Sequence, residues 1–138
     1  MRKVVSFIIP TLNEEVGLKK TLSSLPADQI SQLGKYHIEI VVVDSNSNDS
    51  TRDVALAMGA RVIVEKKGYG RAYKTGFSVS SGDFIVTLDA DGTYPVEMIP
   101  AYIKELNEKQ LDFITINRLS KLEKGSMSII NKVGNLCR

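Results

Sequence analysis

The chain has little cysteine and no long apolar run, and each shortage excludes a class of protein. Its single cysteine, Cys137, cannot form an intrachain disulfide, so the fold does not depend on an oxidising compartment and a cytoplasmic location is expected. The apolar run from Val4 to Ile9 ends at Pro10, far short of the roughly 18 to 20 residues that cross a bilayer. We therefore interpret this run as a buried strand rather than a signal peptide or a membrane span.

Neither sign of charge is in large excess. The 18 basic and 16 acidic side chains leave a net charge of +2, so composition gives no reason to expect a nucleic-acid partner. The hydrophobic fraction of 43% over 138 residues is normal for one globular domain. Any function that needs basic side chains must therefore depend on a local cluster.

Short apolar runs alternate with segments of helical spacing. The runs lack the polar alternation of a half-exposed sheet, which predicts strands covered on both faces. They are Val4–Ile9, Ile38–Val43, Arg61–Val64, Phe84–Leu88 and Phe113–Ile116. Helical spacing relates Leu18, Leu22 and Leu25; Val54 and Met58; Tyr69, Tyr73 and Phe77; and Ile99, Tyr102, Ile103 and Leu106. The alternation predicts an α/β fold with a mainly parallel sheet flanked by helices.

Turn residues divide these elements. Residues 48–51 offer N-cap side chains to the second helix, and Gly59 is suited to its C-terminal cap. Pro100 is predicted in the first turn of the last helix, after a loop from Pro95 to Met98. Residues 118–138 break the rhythm: the charged stretch 118–125 has no strand pattern, and the apolar spacing over 126–136 predicts a short helix. We expect an α/β domain over residues 1–117 and a separate, partial segment over residues 118–138 that continues beyond this chain.

Carboxylates follow three of the predicted strands. They lie in Pro10–Glu15, Asp44–Asp49 and Asp89–Thr93, and ligands of open α/β sheets bind beyond such carboxyl ends. Acids and amides at these places also serve ordinary turn chemistry. Three acidic strand ends together favour a functional site.

Asp89 and Asp91 are the most specific candidates for metal ligands in the sequence. Two carboxylates that flank one small residue after a buried strand offer hard oxygen ligands near one point, which suits Mg²⁺ or Mn²⁺ bridging to a diphosphate. The bland alternative is an Asx turn in which Gly92 supplies an unusual backbone angle.

A basic segment, Lys66–Lys74, precedes this acidic loop. Its glycines, Gly68 and Gly70, would expose backbone N–H groups at a helix start, and Arg71 and Lys74 are three residues apart on that helix. This pattern suits phosphate. The motif is weak because it lacks the third glycine of a dinucleotide fingerprint, and a solvated basic face is the ordinary alternative.

At these residues the sequence resembles family 2 glycosyltransferases of the GT-A fold, and within them the dolichol-phosphate mannosyltransferase group. The resemblance covers about residues 3–135 and is specific in the order and spacing of its elements. Those elements are Ile8–Glu15, Val41–Asp44, Gly68–Ala72 and Leu88–Gly92. It implies that residues 1–117 form the nucleotide-sugar-binding, Rossmann-like half of a GT-A domain, and that residues 118–138 belong to its acceptor side.

The resemblance also implies roles for particular residues. Asp89 and Asp91 would hold the metal with Thr93, and Asp91 would be the catalytic residue. Arg118 would approach a phosphate. Pro10, Leu12, Glu14, Val42 and Asp44 would line the base and ribose of the nucleotide sugar. Beside these, we expect Asn13, Gly70, Arg71, Lys74 and Ala90 to contact the substrate.

This chain departs from the family's usual pattern at several positions. The family often has two acids and then glycine after the second strand, where this chain has Asp44, Ser45 and Asn46, so the nucleotide preference does not carry over. Thr93 stands where relatives often have glutamine or serine, and Leu12 where an aromatic residue is common. The family's domain continues well beyond position 138, so this chain resembles a C-terminally truncated domain and full activity from it alone is not expected.

The predicted reaction transfers a sugar from a nucleotide-diphosphate sugar, of the GDP-mannose or UDP-glucose type, by an inverting single displacement. Such displacement requires stabilisation of the departing diphosphate and a nucleophile on the opposite face of the sugar. A hydroxyl acceptor would need a general base, and none follows Asp91 convincingly. A polyprenyl or dolichyl phosphate is already anionic and is therefore favoured over a sugar hydroxyl, with Arg118 as its partner. The basic tail would then lie at the cytoplasmic face of a membrane as a peripheral contact.

Two other readings stay open. The stretch from Ile85 to Thr93 matches the strand and Asp-x-Asp-Gly-Thr that open haloacid-dehalogenase-like phosphatases, in which the first aspartate, here Asp89, is a nucleophile. That family normally begins with the motif, which here follows the fourth strand. The other reading is a non-catalytic nucleotide-binding or interaction module.

Overall fold

A computed structural model describes residues 3–34, 36–66, 68–116 and 130–132, and the chain divides into two compact units, Met1–Glu97 and Met98–Arg138. The first unit contains β1 (Lys3–Thr11), α1 (Glu15–Ser24), α2 (Ala27–Gln32), β2 (Tyr36–Asp44), α3 (Thr51–Ala57), β3 (Arg61–Val64), α4 (Tyr69–Val79) and β4 (Phe84–Thr87). A short 3₁₀ turn, Val96–Met98, replaces part of the predicted loop before the last helix. The second unit contains α5 (Ile99–Glu108), β5 (Ile114–Ile116) and β6 (Ile130–Lys132).

The four strands of the first unit form a parallel sheet in the order β3-β2-β1-β4. This confirms the predicted α/β fold with a parallel sheet flanked by helices. Two predicted helix ends are confirmed, since Gly59 follows the end of α3 with a φ of 84° and Pro100 lies in the first turn of α5. At the start of α3, the N-cap residue Ser50 makes no capping hydrogen bond with its side chain. Helix α2 was not predicted, because its six residues are too few for a clear apolar period.

The two central strands, β1 and β2, are buried on both sides where they lead to the crevice. On one side α4 crosses β1 and β2 so closely that a Cβ at Gly76 would lie 2.4 Å from Cγ2 of Ile8. Phe7 and Val42 point to the opposite side by strand alternation, and both are fully buried. The continuous apolar runs of β1 and β2 therefore reflect coverage on each face. The outer strands differ from the prediction, because Val64 of β3 and Ile85 of β4 are 45% and 43% exposed.

Two predictions for the C-terminal part need correction. The strand predicted at Phe113–Ile116 forms as β5, but among the described residues it pairs antiparallel with β6 and does not extend the parallel sheet. The helix predicted over 126–136 is wrong at residues 130–132, which form β6; its other residues lie outside the described part of the chain. Strand pairing with β5 supplies backbone hydrogen bonds that override a short apolar period. The predicted domain boundary after residue 117 stays a prediction.

Candidate active site

The strand order brings the carboxyl ends of β1 and β4 side by side. Order reverses between these two strands, and such a switch point is where open α/β sheets bind ligands. The acidic loop of residues 89–93 follows β4 at this edge of the sheet. The loops that follow β1 and β2 begin at the same edge, because all these strands are parallel. All three predicted acidic strand ends therefore meet at one edge of the sheet.

Asp44, at the end of β2, is fully buried and its carboxylate is densely bonded. Oδ1 accepts hydrogen bonds from the hydroxyls of Thr11 at 2.8 Å and Ser47 at 2.5 Å. Oδ2 accepts from the backbone N–H of Ser47 at 2.8 Å and from Nη1 of Arg52 at 3.3 Å. Asp44 thus organises the loop that follows it. Its predicted contact with the nucleotide stays a prediction.

The loops after β1 and β2 are joined by side chains that bond to backbone atoms. Asn13 donates its N–H to the Ser47 hydroxyl at 2.8 Å, and its amide oxygen accepts from the N–H of Asn48 at 2.8 Å. Glu14 donates its N–H to the Thr51 hydroxyl at 2.9 Å. The same hydroxyl donates to Asp49 and lowers the pKa of that carboxyl below its usual range. These bonds fix two loops of the crevice relative to each other.

Left-handed backbone geometry shapes both loops. Asn13 and Asn46 have φ values of 51° and 68°, which asparagine tolerates better than most residues. Asn46 stands where the family often has glycine, so the substitution preserves the turn. Pro10 of β1 and Val42 of β2 are buried in the sheet, whereas Leu12, which follows β1, is 54% exposed.

The acidic loop presents Asp91 to solvent. Its Oδ1 accepts hydrogen bonds from the backbone N–H of Thr93 at 3.0 Å and from the Thr93 hydroxyl at 2.6 Å, while Gly92 has a φ of 75°. The Asx turn proposed as the bland alternative is therefore present, and it holds two oxygen-bearing side chains together. Ala90 is buried, and a Cβ on Gly17 of α1 would lie 2.4 Å from its carbonyl oxygen.

Asp89 is bonded to the first residue of α4. The Tyr69 hydroxyl donates to Oδ1 of Asp89 at 2.7 Å. Burial, followed by this hydrogen bond, raises the pKa of Tyr69 well above its ordinary value. Burial and the nearby charge of Asp89 also raise the pKa of Tyr73 to about 12. Both phenols therefore remain protonated donors beside Asp89 at neutral pH.

The basic side chains of α4 lie on the exposed surface of the helix. Arg71 pairs with Glu65 at 3.7 Å, and Lys74 is exposed on the same side of the helix, away from Tyr69 and Tyr73. A Cβ at Gly70 would meet no atom within 4 Å, so that side of the helix start is open. The predicted phosphate role of these three residues stays a prediction, and Arg118 lies outside the described residues.

The donor set at the switch point suits a divalent cation completed by substrate. Among the described residues, no group of three or more His, Cys, Asp or Glu side chains is placed to hold a metal ion. Asp89, Asp91 and the Thr93 hydroxyl nevertheless supply hard oxygen donors. Mg²⁺ is commonly held by one or two carboxylates, with phosphate and water as the other ligands.

Sequence reasoning missed two partners of the site aspartates. The patterns place Tyr69 in an apolar helical stripe and in the Gly68–Ala72 element, but they predict no contact with Asp89 and no role for Arg52. A tyrosine between two glycines at a helix start is a signal that could have been noticed, because such a side chain is not needed for the core. Nothing local marks Arg52 as the partner of Asp44.

Comparison with known proteins decides the family. The model of the family described as Glycosyl transferase family 2 matches residues 6–126, which include most of β1, the whole of β2, β3 and β4, and all the loops of the crevice. The chain belongs to glycosyl transferase family 2. This membership argues against a phosphatase in which Asp89 is the nucleophile. In the dehalogenase-like family the motif follows the first strand, whereas here it follows the fourth.

Relatives of this family 2 domain include enzymes named for lipid-phosphate acceptors. The dolichyl-phosphate hexose transferase of Haloferax volcanii is 33% identical over 133 residues, covering 96% of this chain and 55% of the relative. The dolichol-phosphate mannosyltransferase of Pyrococcus furiosus is 36% identical over 108 residues, covering 74% of this chain and 30% of the relative. The chain thus spans about half or less of these relatives' length. It likewise covers 48% of an uncharacterised glycosyltransferase of Mycobacterium tuberculosis, to which it is 35% identical over 115 residues.

Solved structures share the fold. Glucosyl-3-phosphoglycerate synthase from Mycobacterium tuberculosis, in complex with Mn²⁺, UDP and glucosyl-3-phosphoglycerate, matches with a TM-score of 0.58 and 30% identity over 75% of this chain and 39% of that chain. The same enzyme is also solved with Mg²⁺ and UDP. The family 2 domain described here therefore has structural neighbours that hold a divalent cation together with a nucleotide.

Proposed function

We propose that this family 2 domain binds a nucleotide-diphosphate sugar through a divalent cation and serves in the inverting transfer of the sugar to a polyprenyl or dolichyl phosphate. The observation that carries the proposal is the acidic loop Asp89–Thr93 at the β1/β4 switch point, facing the fixed loops after β1 and β2. A nucleotide with a diphosphate needs such a wall for its base and ribose, and a cation site for its phosphates. The relatives named for lipid phosphates support the acceptor.

In this proposal the acidic loop binds the cation, and the loops after β1 and β2 orient the nucleotide. Asp91 and Thr93 would hold Mg²⁺ or Mn²⁺ with Asp89, and the bound cation would neutralise the charge that develops on the departing diphosphate. The bonded loops after β1 and β2, which rest on the buried Pro10 and Val42, would orient the nucleotide so that the anomeric carbon is open on the side away from the diphosphate. Attack from that side inverts the configuration of this carbon.

The acceptor phosphate requires no general base, because it is already anionic at neutral pH. A cationic group must instead hold it near the sugar, and we propose Arg118 for this role because a guanidinium bonds phosphate oxygens in pairs. Since a polyprenyl chain resides in a bilayer, the protein would contact the cytoplasmic face of a membrane. No helix among the described residues has the length and apolarity to span one.

Binding is tested by calorimetric titration of GDP and of UDP, each with and without Mn²⁺. We expect binding of at least one nucleotide to require Mn²⁺ and to be lost in Asp91→Ala. Asp53→Ala, which removes an exposed carboxylate from α3, is the matched control and should bind normally. Equal binding with and without Mn²⁺ would contradict the role of the cation, and no binding in any condition would favour a pure interaction module.

The acceptor is tested separately, in a protein that carries the complete family 2 domain, by transfer to a polyprenyl phosphate and to a sugar hydroxyl. We expect transfer to the lipid phosphate alone, and a large loss in Arg118→Ala. Use of the hydroxyl acceptor alone would refute the lipid-phosphate assignment, and undiminished transfer by the variant would refute only the role of Arg118.

A further inference from the structure

An aromatic row on α4 leads directly to the acidic loop. The rings of Tyr69 and Tyr73 meet edge to face with centroids 5.5 Å apart, and Tyr73 stacks on Phe77 at 6.1 Å with 29° between the ring planes. At the end of this row the Tyr69 hydroxyl bonds to Oδ1 of Asp89 at 2.7 Å. The row therefore joins a helix to one of the two carboxylates of the acidic loop.

The helix that carries Tyr69 is firmly placed. Gly68, with a φ of 97°, turns the chain into α4, and Tyr69 is the first helical residue. Ala72 is fully buried in a cluster with Val41 and Val43, and Gly76 lies against Ile8. The neighbouring ring of Tyr73 further restricts the Tyr69 side chain. A donor held in this way loses little entropy when it fixes the orientation of its acceptor.

The hydrogen bond from Tyr69 is compatible with cation binding by the Asp89 carboxylate. A carboxylate has two oxygens, and a donor on Oδ1 sets the plane in which Oδ2 is presented. Ligands of metal ions are commonly oriented by such outer hydrogen bonds, and loss of one typically weakens metal binding about 10- to 100-fold.

We propose that Tyr69 is a positioning residue for the cation, acting through Asp89. The inference rests on the proposed function, since it requires a divalent cation at the acidic loop. Tyr69 itself contacts neither the cation nor the nucleotide in this arrangement. A merely structural hydrogen bond would instead stabilise the start of α4 and leave cation affinity unchanged.

The test is Mn²⁺ affinity, measured from the electron paramagnetic resonance signal of unbound Mn²⁺ in the presence of GDP and, in parallel, of UDP. We expect Tyr69→Phe, which removes only the hydroxyl, to weaken Mn²⁺ binding about tenfold. Tyr36→Phe removes a phenol hydroxyl at the opposite end of β2, where the ring packs on Phe84 at 5.9 Å, and should leave the affinity unchanged.

A double-mutant cycle with Asp89→Asn separates positioning from a structural role. If Tyr69 acts through the Asp89 carboxylate, Tyr69→Phe should have little further effect on Mn²⁺ affinity in the Asp89→Asn background. Additive losses, or unchanged affinity in Tyr69→Phe while the wild type binds, would overturn this inference alone. Failure of the wild type to bind Mn²⁺ with either nucleotide would overturn the proposed function and this inference with it.

Discussion

At the scale of single residues, the site aspartates have different surroundings. Asp44 is completely buried and accepts four hydrogen bonds, whereas Asp91 is exposed and accepts two local hydrogen bonds from Thr93. A carboxylate surrounded by donors holds structure, and an exposed one in a fixed turn can receive a ligand. Sequence patterns place both at strand ends but do not distinguish these surroundings, because the donors come from distant elements.

Asp44→Ala should destabilise the fold. The substitution leaves buried donors of Thr11 and Ser47 without an acceptor and removes the partner of Arg52, so we expect the free energy of unfolding to fall by about 3 kcal/mol. Denaturant unfolding measures this change. Asp53→Ala on the surface of α3 should cost less than about 1 kcal/mol. Equal losses in the two variants would show that the hydrogen bonds of Asp44 contribute nothing measurable.

The carboxyl group of Glu39 should make the free energy of unfolding depend on pH. Burial raises its pKa, but hydrogen bonds from Ser6 and Ser81 and the charge of Arg61 outweigh burial and lower the pKa overall. A lowered native pKa stabilises the fold above the unfolded value of about 4.3, and this contribution is lost as pH falls below it. Glu39→Gln should therefore flatten the acid side of the stability profile. An unchanged slope below pH of about 4.5 would contradict the assignment.

At the scale of elements, close helix contacts position the acidic loop. Gly17 of α1 lies so near to the loop that an added Cβ would be 2.4 Å from the carbonyl oxygen of Ala90 and 3.0 Å from Cα of Asp91. Neither backbone can yield without moving Asp91. This contact could not be predicted from the sequence, since a glycine inside a helical stripe indicates only a weak helix former.

Gly17→Ala should impair nucleotide binding as well as stability. We expect a loss of about 1 to 3 kcal/mol in unfolding free energy from overpacking, together with weaker Mn²⁺-dependent nucleotide binding because Asp91 is displaced. Gly34→Ala is the control, since a Cβ there would lie 3.6 Å from the Tyr36 ring, an ordinary contact distance. Destabilisation with unaltered binding would mean that the loop adapts without displacing its carboxylate.

Elements themselves could be predicted to different extents. The parallel strands were readable because buried strands are continuously apolar, and Pro100 and Gly59 marked helix ends through backbone geometry. The pairing of β5 with β6 was not readable, since it joins segments separated by residues without any strand signal. Short segments such as residues 130–132 adopt the structure that their partner stabilises.

At the scale of the whole molecule, strand order assembles a site from loops far apart in sequence. The alternation of strands and helices predicts a parallel sheet, and the resemblance to family 2 predicts which strand ends face the ligand. Neither predicts Tyr69 beside Asp89 or Arg71 beside Glu65, because these contacts depend on how α4 is rotated over the sheet. That rotation is set by the small residues Ala72 and Gly76, which allow close approach.

Ligand binding at the switch point should stabilise the first unit as a whole, because the loops it joins end three of the four strands. At about 100 times the dissociation constant, a ligand that binds only the native state adds about 2.7 kcal/mol. For a chain of this size we expect a rise in Tm of about 8 °C when Mn²⁺ and the nucleotide are present together. Either one alone should give little change, and EDTA should reverse the rise. Asp91→Ala should show no rise, and an equal rise in that variant would place the nucleotide and cation elsewhere on the protein.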